Sequence, residues 1–298
     1  MAISYSGYLN LPHGFRSHDI LAFHDRDSEQ TAERVNYSKN LLEKGILWQG
    51  MPACLILQFK KKQQVAITLL AEGGKDVSEL EILPIVQRML GLNQDIDDFE
   101  KAHYRHPQLG TLVKKQAGLR VPLSSTPFEA LAWAITGQQI SLAAAISIRR
   151  KLIKALGITH SCGLYCHPNA EVITQLGQDK LHQVGYSKTK AKTLFNLSRG
   201  VIENTLPLDD WLTQQTPVEE ISKKLIEVPG IGPWTISYGL LRGYSWLNGS
   251  LHGDAGVRRG LQKLLGLESK VTAEEAEKWL APFTPWRALV AAHLWMSL

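Results

Sequence analysis

The sequence marks the start of one helix after another from about Leu123 onward. Four segments place Thr where a helix cap is needed and follow it with Glu three residues later or with Pro at the first helical position. These segments are "TPFE" (Thr126 to Glu129), "TPVE" (Thr216 to Glu219), "TAEE" (Thr272 to Glu275) and the Thr-Pro start at Thr284. The first three match a capping box, and the apolar spacing after each start fits amphipathic helices. We therefore expect residues 113–298 to form an all-helical bundle.

The first part of the chain has the hydrophobic pattern of β-strands as well as of helices. The segments "ILWQG", "CLILQF" and "QQVAITLLAE" have the composition and alternation of strands, and the last two, joined by three lysines, resemble a hairpin. Helical patterns lie near Ser17 to Phe23 and at "SELEILPIVQRMLGL", and a polar connection, "NQDIDDFEKAHYRHPQLG", leads out. The simplest prediction is an α+β domain over residues 1–112, an antiparallel sheet with flanking helices.

Composition sets broad limits. The chain has 298 residues, 44% of them hydrophobic, and a net charge of +5, which suits a polyanionic partner without requiring one. We find no signal-like start and no apolar run of membrane-spanning length, so we expect a cytoplasmic monomer without membrane contact.

The three cysteines are Cys54, Cys162 and Cys166. An odd number forms no even disulfide framework, and the last two offer at most half a metal site, so we predict reduced thiols and no metal.

The stretch "VPGIGPWT", Val228 to Thr235, interrupts strongly helical sequence with two glycines and two prolines. We interpret it as a tight turn between two helices, in which Gly230 and Gly232 supply unusual φ angles and Pro233 begins the second helix. Backbone amides at such a helix end can hold a phosphate. On the glycines alone, an ordinary helical hairpin is an equally good explanation.

The sequence downstream adds an aspartate, since "LHGDAGVRRGLQKLLG" sets Asp254 at the start of another helix. "LIEVPGIGPWTISYGLLRG" followed by "GDAGVRR" resembles the helix-hairpin-helix DNA glycosylases, whose hairpin (residues 216–243 here) precedes a Gly/Pro-rich stretch and an aspartate. Within that superfamily the chain is most similar to the DNA-3-methyladenine glycosylase II family. The resemblance is strong from Pro122 to Trp295, and the family's N-terminal antiparallel β domain fits the fainter part.

The resemblance implies base flipping, which needs a backbone anchor, a wedge and a pocket. It assigns the anchor to the hairpin, where Gly230, Gly232 and Thr235 meet phosphates and the carbonyls hold a monovalent cation; we expect no other cofactor. It assigns the wedge to "ITGQQIS", where Gln138 and Gln139 interrupt an apolar helical run. Many relatives carry an apolar residue at the position of Gln139, and a plain polar turn is the alternative.

The expected pocket is aromatic. Trp234 and Tyr238 stand four residues apart and so share one helix face, and the resemblance adds Trp295 and Phe23. Electron-rich ring faces attract a cation, and methylation of ring nitrogens can leave a base cationic. Outside this context, a Trp and a Tyr at helical spacing are more often core residues.

Asp254 is the expected catalytic residue, because a carboxylate at a helix N-terminus can stabilise an oxocarbenium-like sugar and orient or deprotonate water. A simple N-cap is the alternative. Relatives of the endonuclease III kind carry a lysine nucleophile where this chain has Trp234, so the resemblance implies no Schiff base, and no iron–sulfur cluster since the last cysteine is Cys166. The expected activity is monofunctional excision of alkylated purines from double-stranded DNA. A damaged-DNA-binding protein without catalysis and a protein–protein adaptor are the alternatives.

Overall fold

The computed structural model describes residues 3–73 and 76–298, and within these ranges an antiparallel sheet is followed by a series of helices. This confirms the predicted α+β architecture with its all-helical second part. The sheet has the strand order β1-β5-β4-β3-β2 with every pair antiparallel. Its strands are Tyr5–Asn10 (β1), Glu33–Asn36 (β2), Leu41–Trp48 (β3), Met51–Lys60 (β4) and Gln64–Ala71 (β5).

The helices occupy the rest of the described chain. None of those in the described ranges is long and apolar enough to cross a membrane. They are Ser17–His24 (α1), Glu79–Met89 (α2), Asp97–His103 (α3), Gly110–Lys115 (α4), Pro127–Gly137 (α5), Leu142–Leu156 (α6), Ala170–Gln183 (α7), Lys188–Ile202 (α8), Leu208–Thr213 (α9), Val218–Leu225 (α10), Pro233–Tyr244 (α11), Ala255–Leu265 (α12), Ala273–Leu280 (α13) and Arg287–Met296 (α14).

The sheet forms because alternate residues of its strands can be buried on one face. In β5, Val65, Ile67 and Leu69 are fully buried while their neighbours are partly exposed. The predicted hairpin is present, since β4 pairs with β5 from Lys60 opposite Gln64 onward. Ile20 of α1 and Ile82 of α2 pack in the same apolar core and cover that face.

The helix starts follow the predicted caps only in part. At α13 both halves of the capping box form, because Thr272 Oγ1 accepts from Glu275 N (3.2 Å) and Glu275 Oε2 accepts from Thr272 N (2.8 Å). At α5 Thr126 accepts from Glu129 N (3.1 Å), but the Glu129 carboxylate accepts from Ser125 N (3.0 Å) instead. That box is therefore only half formed.

Two other predicted starts are wrong. The amide of Thr216 donates to Trp211 O (2.9 Å), which ties it to the end of α9, and α10 begins at Val218 without a side-chain cap. Thr284 belongs to the preceding turn, where its hydroxyl donates to Ala281 O (3.2 Å). Thr284 precedes a cis proline, and α14 begins only at Arg287.

The polar connection after α2 is more ordered than its sequence indicated. It contains α3, because Phe99 is fully buried and holds this short helix against the C-terminal helices, with its ring 5.2 Å from that of His293. Phe99 and Leu109 belong to the same apolar core as Leu289 of α14. The helical core thus includes residues that precede position 112.

The centre of the helical part is the pair α5 and α11. Two glycines of α11 let the helices approach closely, since a Cβ at Gly239 would lie 2.4 Å from Leu131 Cδ2 and one at Gly243 would lie 3.2 Å from Pro127 Cα. One apolar core lies toward α12 and α14, and a second lies toward α6 to α10. The α5–α11 pair therefore determines how the two cores are placed.

A buried group of four charged side chains joins the sheet to the helices; we call Glu33, Lys44, Glu129 and Arg149 the charge cluster. Lys44 on β3 is 1% exposed, and its ammonium binds Glu33 of β2 (2.6 Å) and Glu129 of α5 (2.8 Å). Arg149 of α6 contacts the same two carboxylates at 2.8 and 3.2 Å. Two cations and two anions balance, which is the arrangement that permits burial of charge.

Replacing Lys44 by Met keeps the shape of the side chain and leaves two carboxylates facing one guanidinium. We expect this variant to lose about 3–5 kcal/mol of unfolding free energy, because an uncompensated charge stays buried. Urea denaturation checks the value. Lys62→Met, at an exposed lysine of the β4–β5 turn, is the control and should change stability by less than about 0.5 kcal/mol. Equal, small losses in both variants would show that the charge cluster contributes little.

Candidate functional site

Asp254 caps the N-terminus of α12 and is held by four N–H donors. Its Oδ1 accepts from Gly256 N (2.8 Å), Val257 N (3.0 Å) and Trp295 Nε1 (2.9 Å). Among the residues that the structure describes, Oδ2 accepts a hydrogen bond from Trp234 Nε1 alone, at 3.2 Å. The carboxylate is therefore fixed in place, and Oδ2 is the oxygen with capacity left for a further partner. Asp254 is therefore an N-cap of α12, and a catalytic role for Oδ2 stays a prediction.

Three of the four predicted pocket residues form one aromatic group beside this carboxylate. Trp234 and Tyr238, one turn apart on α11, stack with ring centroids 5.3 Å apart at 28°. Trp295 of α14 lies 6.1 Å from Tyr238 at 56°. Trp234 and Trp295 are partly exposed whereas Tyr238 is 8% exposed. The indole rings consequently offer surface to a ligand, with the tyrosine behind them.

Phe23, from α1 of the sheet part, reaches the group through an arginine. The Arg242 guanidinium lies 4.6 Å from the Phe23 ring centroid and 5.6 Å from that of Trp295. It is buried, and it donates to Pro122 O at 2.7 Å. Phe23 therefore adjoins the aromatic group without contacting Asp254.

Sequence reasoning missed three residues of this region. Trp133 of α5 donates through Nε1 to Tyr238 Oη (3.0 Å), and Arg26 stacks over Phe23 (4.1 Å). Arg242 could have been found, because it lies four residues after Tyr238 on α11. Trp133 and Arg26 come from other elements, and no local spacing connects them with the hairpin.

A small cavity of about 40 Å³ lies below these rings. Phe23, Trp133, Tyr238 and Arg242 line one side of it, and the charge cluster lines the other. This volume suits a few water molecules and is too small for a purine. A base bound here would have to lie nearer the surface, against the exposed faces of the indoles.

The hairpin is the expected tight turn between α10 and α11, with one correction. Gly230 has φ of +92°, and a Cβ there would lie 2.0 Å from Thr193 Oγ1, so glycine is needed. The prediction was wrong for Gly232, whose φ of −114° is open to any residue and whose Cβ would meet nothing within 4 Å. Gly232 caps α11 without a side-chain hydrogen bond, so the cap residue does not occupy the first-turn amides, which include that of Thr235.

The predicted wedge segment is a short loop between α5 and α6. Gln139 is exposed at its tip with φ of +54°, and its exposed neighbours Ile140 and Leu142 are apolar. The amide nitrogen of Gln138 donates to Gly230 O (2.9 Å) and to the hydroxyl of Thr235 (2.8 Å). Gln138 thus joins the loop to the hairpin, and a contact of Gln138 or Thr235 with DNA stays a prediction.

Comparison with known proteins identifies the architecture. The family model of the HhH-GPD superfamily base excision DNA repair proteins matches residues 132–285. Among solved structures, a 3-methyladenine DNA-glycosylase from Archaeoglobus fulgidus superposes with a TM-score of 0.80 at 20% identity, over 97% of both chains.

Two curated relatives are named as DNA-3-methyladenine glycosylases. A DNA-3-methyladenine glycosylase of Bacillus subtilis is 26% identical over 73% of this chain and 72% of its own length. DNA-3-methyladenine glycosylase 2 of Escherichia coli is 29% identical over 63% of this chain and 64% of its own. The matched region spans α5 to Pro285 and so contains the loop, the hairpin and Asp254. The resemblance seen in the sequence is confirmed: the chain belongs to the HhH-GPD superfamily of base excision DNA repair proteins.

Proposed function

We propose that this protein is a monofunctional DNA glycosylase that excises alkylated purines of the 3-methyladenine type from double-stranded DNA. The observation that carries the proposal is the fixed Asp254 carboxylate, bound by the indoles of Trp234 and Trp295 beside the Trp234–Tyr238 stack. The names of the relatives support the same substrate class. Hydrolysis leaves an abasic site, the first step of base excision repair.

The reaction breaks the bond between the purine and C1′ of the sugar. Positive charge develops on the sugar as the bond lengthens, and a carboxylate fixed beforehand stabilises that charge without reorganising. Oδ2 of Asp254 has the free acceptor capacity for this task and can also orient or deprotonate the attacking water. The exposed indole faces provide a stacking surface for the flipped base.

The first test is Asp254→Asn, which removes the charge and keeps the size. Asn is as good an N-cap as Asp, so α12 should stay capped through the side-chain oxygen. We expect base release to fall by about 100-fold or more while duplex affinity stays near wild type. A single-turnover assay on duplexes with one alkylated base measures the first quantity, and a binding titration the second.

Asp210→Asn, at an exposed aspartate of α9, is the matched control and should leave base release unchanged. Activity of Asp254→Asn within a few-fold of wild type would contradict the catalytic assignment. Wild-type protein that binds the lesion but releases no base from any alkylated duplex would favour the alternative, a damaged-DNA-binding protein without catalysis.

The second test concerns the anchor. Gly232→Val places a side chain in open space beside the first-turn amides of α11, so it should block a phosphate and leave the fold intact. Losing one charge-assisted hydrogen bond weakens binding by about tenfold. Because phosphates carry no sequence information, undamaged and lesion duplexes should be affected alike.

Fluorescence titration of both duplexes checks this, and an unchanged melting midpoint shows that the fold is preserved. Gly230→Val gives the contrast, since its side chain collides with Thr193 and should lower the melting midpoint. A loss by Gly232→Val that is confined to lesion DNA would refute the anchor role.

A monovalent cation at the hairpin remains part of the proposal. The carbonyls of Pro229 and Gly230 each accept one side-chain bond, from Thr193 (2.9 Å) and Gln138 (2.9 Å). A carbonyl oxygen has two lone pairs, so both keep capacity for a cation.

The third test concerns the product. A lyase needs an amine that attacks C1′, and the indole nitrogen of Trp234 cannot do so because its lone pair belongs to the ring. We expect excision to leave an intact strand, and borohydride to trap no covalent complex. Lys190 is the lysine to test as an alternative nucleophile, because partial burial lowers its pKa. Its ammonium donates to Thr136 O at 2.9 Å. A stoichiometric trapped complex that disappears in Lys190→Met would overturn the monofunctional assignment.

A further inference from the structure

The loop between α6 and α7 lies against the sheet and carries two of the three cysteines; we call residues 159–166 the Cys loop. It closes on itself through His160 N to Leu164 O (2.9 Å) and Gly163 N to His160 O (2.8 Å). It also bonds to the segment just before β2, through Tyr165 N to Thr31 O (3.0 Å). A Cβ at Gly45 would lie only 2.1 Å from Tyr165 O, so loop and strand are in close contact.

This docking brings together three side chains that bind soft metals. Cys54 on β4 and His160 are 0% and 2% exposed, and Cys162 is partly exposed. One donor atom from each lies within 4.8 Å of the other two. The His160 Nδ1 accepts the Cys162 amide at 3.1 Å, so the ring proton lies on Nε2, and a metal bound through Nδ1 would replace this hydrogen bond.

Zinc bonds of about 2.0–2.3 Å place tetrahedral donors roughly 3.5 Å apart, so closing from 4.8 Å needs small side-chain rotations. Two sulfurs and one imidazole select zinc over magnesium or calcium.

We propose that Cys54, His160 and Cys162 bind one Zn²⁺ ion that fastens the Cys loop to the sheet. Two thiolates neutralise the charge of the ion, and their protons leave to solvent. Cys166 does not complete the set, since its thiol is directed at Ala53 O (4.0 Å). The proposal differs from the sequence-based expectation of reduced thiols and no metal. It shares no residue with Asp254 or the aromatic pocket, so its failure and that of the proposed function are distinguishable.

The experiment uses the full chain without a histidine tag, stripped of metal and kept reduced. We expect one equivalent of Co²⁺ to give the intense thiolate-to-cobalt absorption of a tetrahedral site and Zn²⁺ to displace it. Zn²⁺ should also raise the melting midpoint, because it binds the folded state. Metal analysis of protein expressed in zinc-supplemented medium should find one zinc per chain.

Matched variants locate the site. Cys162→Ser and His160→Gln should abolish the cobalt absorption and the zinc-dependent rise in melting midpoint. Cys166→Ser and His13→Gln, the latter at an exposed histidine, should keep both. Circular dichroism shows that each variant is folded.

Either of two results with cobalt would overturn the proposal. One is the lack of a thiolate-to-cobalt band in the reduced wild-type chain. The other is a cobalt band that survives in folded Cys162→Ser or is lost in folded Cys166→Ser, because the ligands would then be different residues. A Cys54–Cys162 disulfide in freshly purified, metal-free protein, seen as a loss of two hydrogens by mass, would count against it as well.

Discussion

The charge cluster is the contact on which the geometry of this molecule depends. It ties the start of α5 and the middle of α6 to strands β2 and β3, through carboxylates and cations that are almost completely buried. The helix α5 then packs on α11, which carries the aromatic face of the pocket. The charge cluster therefore lines the same cavity as Phe23 and Tyr238, on the side opposite to these two rings.

Asp254 shows how structural and chemical demands can fall on one side chain. The N-cap bonds orient the carboxylate from below, and the two indoles hold it from the side. These contacts occupy Oδ1 almost entirely and leave acceptor capacity on Oδ2. Both indole N–H groups bind the same carboxylate, so Oδ2 and the two rings are held relative to each other, as the proposed enzyme requires of a catalytic oxygen and a stacking surface. Preorganisation of this kind is the main source of electrostatic catalysis.

Features that depend on neighbouring residues could be predicted from the sequence, whereas features that depend on contacts between distant segments could not. The hairpin, the Trp234–Tyr238 face and the β4–β5 pairing follow from local spacing, and the structure contains them. The predicted helix cap at Thr216 was wrong because the Thr216 amide is hydrogen-bonded to the preceding helix. The predicted unusual φ of Gly232 was wrong because the presence of a glycine does not by itself determine its φ. Trp133, the charge cluster and the proximity of Cys54 to Cys162 result from contacts between distant segments, which no local pattern records.

The loop and the hairpin form a single unit, and this bears on how a base is extruded. Gln138 donates to both a hairpin carbonyl and a hydroxyl of α11, so the loop is held at a fixed distance from the hairpin. A phosphate bound at the hairpin would therefore also fix the distance between the loop tip and the DNA. Gln139 at that tip is polar and offers little stacking surface. Its exposed neighbours Ile140 and Leu142 are apolar, and they are better suited to replace the contacts of a displaced base. In the proposed enzyme, we therefore expect these aliphatic side chains, beside Gln139, to fill the gap in the stack.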